Sequence, residues 1–361
     1  MMMSDKCKQH VDSCRFCWMC HHICPIGTAT GQERSTARAR ALGISLVNRG
    51  AIDLSEIMDN IYECATCGAC VHDCVTGWDP VMFTKEARLQ AALEDKLPTY
   101  INALVDNCLD KGNAYGKEAL CPCLAAAIDR HSEKTDTLLF LGSDARYMAC
   151  EQAKRAIEVL ELAGIPFTVL KDEPDSGAAL DFLIGAAEET KAQMQSAADA
   201  MRAFKTVVLY DPGDAKTVKQ IYPEYGVSQD ATAVTFTSFV AALIKEGKLQ
   251  VKNTGKKVLY QDPYQLSRDL CETEEPRSII GAVAELGEFH LNRAETVLAG
   301  SVLMAQYMPK VMDLVARRRL FNANAVGGKA IVTASVSEYA VLKSVDQSDI
   351  EIYSIEDLIL G

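Results

Sequence analysis

The chain has 361 residues, 48% of them hydrophobic and 24% charged, with a formal net charge of −12. That length allows roughly two or three domains, each with its own core, and the acidity, with no opposing basic tail, argues against nucleic acid as a partner. The longest weakly charged stretches, such as 298–308, stop well short of the roughly 18 apolar residues that span a bilayer, and 1–10 has no apolar core of a secretory signal. The expectation is therefore a protein of the reducing cytoplasm without a transmembrane segment, whose fourteen cysteines are metal ligands or buried thiols and not disulfides.

Eight of those cysteines form one motif written twice. Cys14, Cys17, Cys20 and Cys24 are followed by Cys64, Cys67, Cys70 and Cys74, each set reading C-x2-C-x2-C-x3-C, and the first ends in Pro25. This spacing wraps three thiolates around one cubane and sends the fourth to a neighbour. The expected assignment is crossed: Cys14, Cys17, Cys20 and Cys74 on one [4Fe-4S] cluster, Cys64, Cys67, Cys70 and Cys24 on the other. Paired zinc sites also use C-x2-C, but zinc has no use for a third and fourth cysteine at these offsets.

Between the two sets, 28–48 and 53–62 carry helical spacing of Leu, Ile and Met, punctuated by Gly50. Continuing, 84–97 and 99–110 read as helices, the latter starting after Pro98, and Gly112–Gly116 breaks the run. The N-terminal fifty residues carry seven Lys and Arg against three Asp and Glu, including Arg34, Arg38 and Arg40. Such a cluster either supports anionic iron-sulfur centres or docks an acidic partner, unless it is a solvated helix face. His21, His22 and His72 sit inside the cysteine loops, where a histidine tunes a cluster or simply shields its edge. Trp18 and Trp78 are placed to cover the cubanes.

From Thr135 the pattern alternates. Strands are expected at 137–141, 167–170 and 206–210, with helices at 149–162 and 186–204; after a hinge near 246–254 come a strand at 257–260, a helix at 275–286, a long helix within 294–319, a strand at 330–333 and a helix at 336–343. Parallel sheets covered by helices follow from that order. The two halves look like a repeat of about 100 residues, since Cys150 follows Ser143 and Cys271 follows Tyr264 at the same spacing, each with a Glu after it. The expected fold is thus α plus α/β: a helical two-cluster ferredoxin domain over 1–134, then pseudo-symmetric α/β repeats over 135–250 and 251–361.

This organisation resembles the iron-sulfur proteins with paired cysteine-rich CCG domains, among them the D-type subunit of heterodisulfide reductase, the glycolate oxidase iron-sulfur subunit and the C-type subunit of anaerobic glycerol-3-phosphate dehydrogenase. The residues that carry the resemblance are Cys14-Arg15-Phe16-Cys17 through Cys24-Pro25, the turn Gly112-Asn113-Ala114-Tyr115-Gly116, and Gln261-Asp262-Pro263-Tyr264-Gln265-Leu266-Ser267-Arg268, similar to the family's D-P-C-H-L-x-R. The departures are as informative. Where the family closes each repeat with C-C-G and C-P-x-C, the first repeat has Asp175-Ser176-Gly177 and Asp211-Pro212-Gly213-Asp214; the second has Ala323-Asn324-Ala325 and Ser335-Val336-Ser337-Glu338, with Tyr264 in place of the D-P-C cysteine. Carboxylates and hydroxyls do not hold soft iron-sulfur centres as thiolates do, so disulfide-reducing chemistry by this chain is not expected. Asp211 and Asp214 are either ligands for a hard cation or amine, or turn residues around Pro212-Gly213.

Six cysteines remain outside the motif. Cys121-Pro122-Cys123 would present two thiolates to a further metal centre if Cys108 or Cys150 approached, but no second closely spaced pair completes a set of four, which favours buried or idle thiols; Cys7 and Cys271 suggest nothing more. No G-x-G-x-x-G or Walker pattern occurs, so no flavin or nicotinamide site of its own is expected. The resemblance implies an electron-transfer subunit serving an FAD-linked oxidase or dehydrogenase of 2-hydroxy-acid type, passing electrons to a ferredoxin, an electron-transfer flavoprotein or a quinone, and peripheral to the inner membrane at most through that partner. A heterodisulfide-reductase-like catalytic subunit, a redox-sensing protein and a quinone-linked subunit with 298–312 against a membrane are the rival readings.

Overall fold

The computed structural model describes residues 3–345 and 349–361. Among these residues every regular element before Thr137 is helical. The 28–48 stretch is broken in two places: Pro25–Thr30 ends at Gly31, whose φ of 67° is left-handed, and after a short 3₁₀ turn at Glu33–Ser35 the chain restarts as Ala37–Asn48. Pro80–Leu93 starts where Asp79 accepts the Met82 N–H at 3.0 Å with Pro80 just inside. Thr99–Lys111 stops at Gly112, also left-handed. These helices bury Ile44, Met58, Ile61, Tyr62, Phe83, Ala87 and Ile101 in one core.

Two parallel sheets follow. The first contains β1 (Thr137–Phe140), β2 (Thr206–Leu209) and β3 (Thr232–Thr235) in the order β1-β2-β3. The second contains β4 (Lys257–Gln261), β5 (Glu285–Glu288), β6 (Ala330–Thr333) and β7 (Glu351–Ser354) in the order β5-β4-β6-β7. Strands β1, β2 and β6 are short, mostly buried apolar runs, as sheets covered on both faces require. The repeat is therefore real, with β1, β2 and β3 answering β4, β6 and β7; its offset from Thr137 to Lys257 is roughly 120 residues, longer than the length of about 100 expected but in step with the spacing of Cys150 and Cys271. A single core containing Leu139, Val208, Phe236, Val258, Ile280 and Val332 runs through both sheets, so the repeats are packed together.

Several expectations are corrected. The strand foreseen at 167–170 is only a bridge pairing Thr168 with Leu138, at the edge that β5 occupies in the second sheet. The helix foreseen at 275–286 ends at Val283, and its last residues open β5. Strands β3 and β7 were not foreseen; they are short, and β3 carries only one buried residue, so alternation is nearly invisible there. The 298–312 stretch is no membrane face: Leu298, Ala299, Val302, Met304 and Met312 are buried in a core with Ile331 and Leu342. No helix among the described residues is long and apolar enough to cross a membrane.

One buried cation joins the helical part to the first repeat. Arg88 is fully buried and donates to the carbonyls of Cys64 at 2.6 Å, Ile61 at 3.1 Å and Phe182 at 2.7 Å, while its guanidinium stacks on the rings of Phe182 and Tyr62. Tyr62 adds a bond from its hydroxyl to the Leu183 carbonyl at 2.6 Å. Replacing Arg88 by Met keeps the bulk but strands three carbonyls in a dry interior. A loss on the order of 3 kcal/mol is expected in urea unfolding; a loss below about 1 kcal/mol would mean that water reaches those carbonyls and the junction is wet.

Candidate functional site

The two cysteine loops have the same backbone. Phe16 and Trp18 in the first, and Thr66 and Gly68 in the second, hold left-handed φ values of 56°, 70°, 48° and 71°. Three of these four are not glycine, so the conformation is held at a cost that only a surrounding constraint repays. What it achieves is to turn successive thiols inward. In each loop the second residue after the first cysteine donates its N–H to that cysteine's sulfur at 3.4 Å, Phe16 to Cys14 and Thr66 to Cys64. Helix Pro25–Thr30 adds a third such bond, from the Gly27 N–H to Cys24 Sγ at 3.4 Å.

The thiols fall into two cavities. Cys14, Cys17, Cys20 and Cys74 line one, together with Trp18 and Trp78; Cys24, Cys64, Cys67 and Cys70 line the other. Cys70 also borders the first, so the cavities share a wall. Their exposure differs. All four cysteines of the second are buried, whereas Cys17 is exposed and Cys14, Cys20 and Cys74 are half-buried. As free thiols Cys20 and Cys67 are pushed up to about 11 by burial, and metal assembly takes those protons away.

The lining of the second cavity fits an anionic iron-sulfur cluster. Arg40 is buried there, donates to the Ser35 carbonyl at 3.0 Å, and leaves its Nε without a partner. Burial opposes its charge, but the sulfurs of Cys64, Cys24 and Cys70 around it outweigh that and raise its pKa above the ordinary value. Such a cation balances the negative charge that thiolate ligation brings. Of the three arginines singled out in the sequence, Arg40 alone is buried; Arg38 lies over the Trp18 ring at 3.9 Å, and Arg34 pairs with Glu63 at 2.6 Å. The histidines contribute less than their positions suggested. None of the three lines either cavity: His21 faces Glu33 at 3.4 Å, and His22 and His72 are exposed.

Behind the second loop lies a further cavity, bordered by Ala65 and Thr66 and closed by the ends of strands from both sheets. Asp144 follows β1, Asp211 and Asp214 follow β2, Tyr264 follows β4, and Ser335, Ser337 and Glu338 follow β6, so it occupies the carboxyl ends of both parallel sheets. Asp175 completes a set of four aspartates, beside a fifth, Asp181, that is paired with Lys85. Gly142 is required there, since a Cβ would come within 1.8 Å of Asp214 Oδ2. Among the described residues lining this cavity there is no cysteine. Of the positions expected to replace family thiolates, Ala323, Asn324 and Ala325 lie at the end of helix Pro309–Ala325 and do not reach it; Gly300 and Ser301, unmarked in the sequence, do.

The four aspartates make no ion pair among the described residues, because the nearby Lys85 and Lys216 are bound to Asp181 at 2.7 Å and Asp269 at 2.8 Å. Asp175 accepts from Ser143 Oγ at 2.6 Å, Asp214 accepts from Ser176, and Asp144 from Tyr115. Asp211 uses Oδ1 to cap the following helix through Gly213 N–H at 2.7 Å, while its Oδ2 has no partner. The turn-residue reading of Asp211 thus accounts for one of its oxygens. Burial, then repulsion from Asp144, pushes its carboxyl up to about 7.

Comparison with known proteins agrees with the cysteine loops. Residues 10–78 match the 4Fe-4S dicluster domain. Beyond that module, the chain is 25% identical over 330 residues to the D-type subunit of dihydromethanophenazine:CoB–CoM heterodisulfide reductase from Methanosarcina acetivorans, covering 79% of this chain and 76% of that protein. A probable membrane-anchored ferredoxin of Chromohalobacter salexigens is 26% identical over 72% of this chain but only 39% of its own length. An uncharacterized iron-sulfur protein of Methanocaldococcus jannaschii is 24% identical over 86% of this chain and 64% of its own length. The chain thus carries a 4Fe-4S dicluster domain and is related in sequence to the D-type subunit of heterodisulfide reductase.

The aspartate cavity has a consequence in pH. The native Asp211 carboxyl, at about 7, keeps a proton that the unfolded chain gives up near the ordinary 3.8. Stability therefore falls as pH rises from 3.8 toward about 7, and levels above it. Asp211→Asn keeps the helix cap and removes the titration. It is expected to raise the melting temperature by about 2 °C at pH 8 and by less at pH 6; an equal gain at both pH values would show that the carboxyl does not titrate in this range.

Proposed function

We propose that the chain relays electrons through two [4Fe-4S] clusters, one held by Cys14, Cys17, Cys20 and Cys74 and the other by Cys24, Cys64, Cys67 and Cys70. A cluster of this kind supplies reversible one-electron storage when bound. The observation that carries the reading is the shared wall at Cys70, since two cradles so close allow transfer between them without a further carrier. The first cradle is the outward end. Phe16, Trp18, Met19 and Val75 around it are large apolar side chains left exposed, and Arg15 and Arg38 stand among them, which is the composition of a protein-docking surface. The second cradle is the inward end, where Arg40 offsets the charge of the loaded site and Arg268 of the second repeat donates to the Cys67 carbonyl.

The partner at the outward end is an FAD-linked oxidase or dehydrogenase acting on a 2-hydroxy acid, with the substrate chemistry on its flavin, and the electrons pass on to a ferredoxin, an electron-transfer flavoprotein or a quinone. The chain works in the cytoplasm, at the membrane only through that partner. Heterodisulfide reduction by this chain is disfavoured by the carboxylate cavity, which offers no thiolate where the family's second type of metal centre would sit.

Anaerobic reconstitution should give about eight irons and about eight acid-labile sulfides per chain; an iron count clearly above that would sink the two-cluster reading. Copurified with its flavoprotein, the chain should bleach in the visible when a 2-hydroxy acid is added. Bleaching that is absent while the partner's flavin is reduced would remove the relay. Arg40→Met should lower the potential of one cluster by roughly 60 mV, the one-electron equivalent of tenfold, because the reduced site loses a buried countercharge; Arg40→Lys should restore most of it. A redox titration in which Met and Lys variants behave alike would mean that Arg40 only fills space.

A further inference from the structure

Away from both cradles, three thiols that the sequence left idle come together. Cys121 precedes and Cys123 lies within the first turn of helix Pro122–Arg130, and Cys150 opens helix Cys150–Leu162. The two helices pack side by side with their N-termini at one end, and the three sulfurs all lie within 4.8 Å of one another. Cys121 and Cys123 are 3.1 Å apart, and Cys123 Sγ is 3.0 Å from Glu151 Oε1. We propose that Cys121, Cys123, Cys150 and Glu151 bind a single zinc ion.

The geometry selects this ligand over another cubane. Sulfurs held about 2.3 Å from a tetrahedral ion lie roughly 3.8 Å from each other, within the span of this trio, whereas the thiolates of a cubane sit on separate irons and stand farther apart. Three thiolates and one carboxylate oxygen complete a four-coordinate set with no position left open, the arrangement of a structural site. Two helices of nine and thirteen residues begin at the group, so their positive ends face whatever negative charge the ligands carry. Pro122 fixes the backbone between the first two thiols, and all three cysteines are only half-buried, so an ion can enter from solvent. The ion would clamp helix Pro122–Arg130, at the end of the helical part of the chain, onto Cys150–Leu162, the second helix after β1.

The test uses the full chain with its iron loaded, kept reduced and free of oxygen, incubated with zinc and desalted. About one zinc per chain should remain, and the zinc-edge X-ray absorption should show three sulfurs near 2.3 Å and one oxygen near 2.0 Å. The Cys121→Ser/Cys123→Ser/Cys150→Ser variant should lose the zinc with iron and sulfide unchanged. Glu151→Gln, which leaves every thiol in place, should weaken zinc retention by at least about tenfold. Zinc well below one equivalent in the parent chain, zinc retained by the triple variant, or a shell of four sulfurs drawn from a cluster cradle would each overturn the proposal.

Discussion

The structure depends on two loops whose backbones are forced into the left-handed region so that successive thiols face one point. Phe16, Trp18 and Thr66 adopt that conformation without the freedom of glycine, and the same N–H to sulfur bond recurs in both loops. Everything around them serves to hold that twist. Trp78 is anchored by its indole N–H to the His10 carbonyl at 2.7 Å and packs on Phe83, while Arg88 holds the Cys64 carbonyl from the far side. Loops under such constraint are rigid, and rigidity is what a carrier needs if its surroundings are not to reorganise with each electron.

Much of this was legible in the sequence, because the cysteine spacing is a direct record of backbone geometry. The alternation of strands and helices after Thr135 was legible too, since buried parallel strands are short apolar runs between amphipathic helices. What escaped was whatever depends on distant segments meeting. β7 and β3 are ordinary-looking stretches that become strands only at the side of β6 and β2. Cluster support was one reading of Arg34, Arg38 and Arg40 together, but nothing in the sequence singles out Arg40 until the second cysteine loop is folded over it. Cys150 lies 27 residues beyond Cys123 in the chain, and no spacing rule joins the two. Gly300 and Ser301 were passed over in favour of Ala323–Ala325, which lie farther beyond Asp175 than the repeat offset of roughly 120 residues reaches.

The aspartate cavity is the part of the fold most altered relative to what the resemblance implies. Its position at the carboxyl ends of both sheets, against Thr66 of the second loop, keeps the architecture of a site while replacing soft sulfur by hard oxygen. Burial raises the pKa of each of these carboxyls, and hydroxyls from Ser143, Ser176 and Tyr115 surround them. Arg268 of the second repeat donates both to the Cys67 carbonyl of the second cradle and to the Ala294 carbonyl, the latter at 2.9 Å. The repeats are thus mechanically joined to the redox module and not merely appended to it.

Each cradle draws thiols from both cysteine runs, three from the near one and the rest from the distant one. This has a consequence for biosynthesis. A nascent chain that has emerged only as far as Asp59 presents four cysteines of the two runs but neither pocket, so there is nothing to receive iron until the second run has left the ribosome and folded back. Under the proposed ligation maturation is a single late event: both pockets come into being together, and a chain interrupted between the two runs carries neither of them.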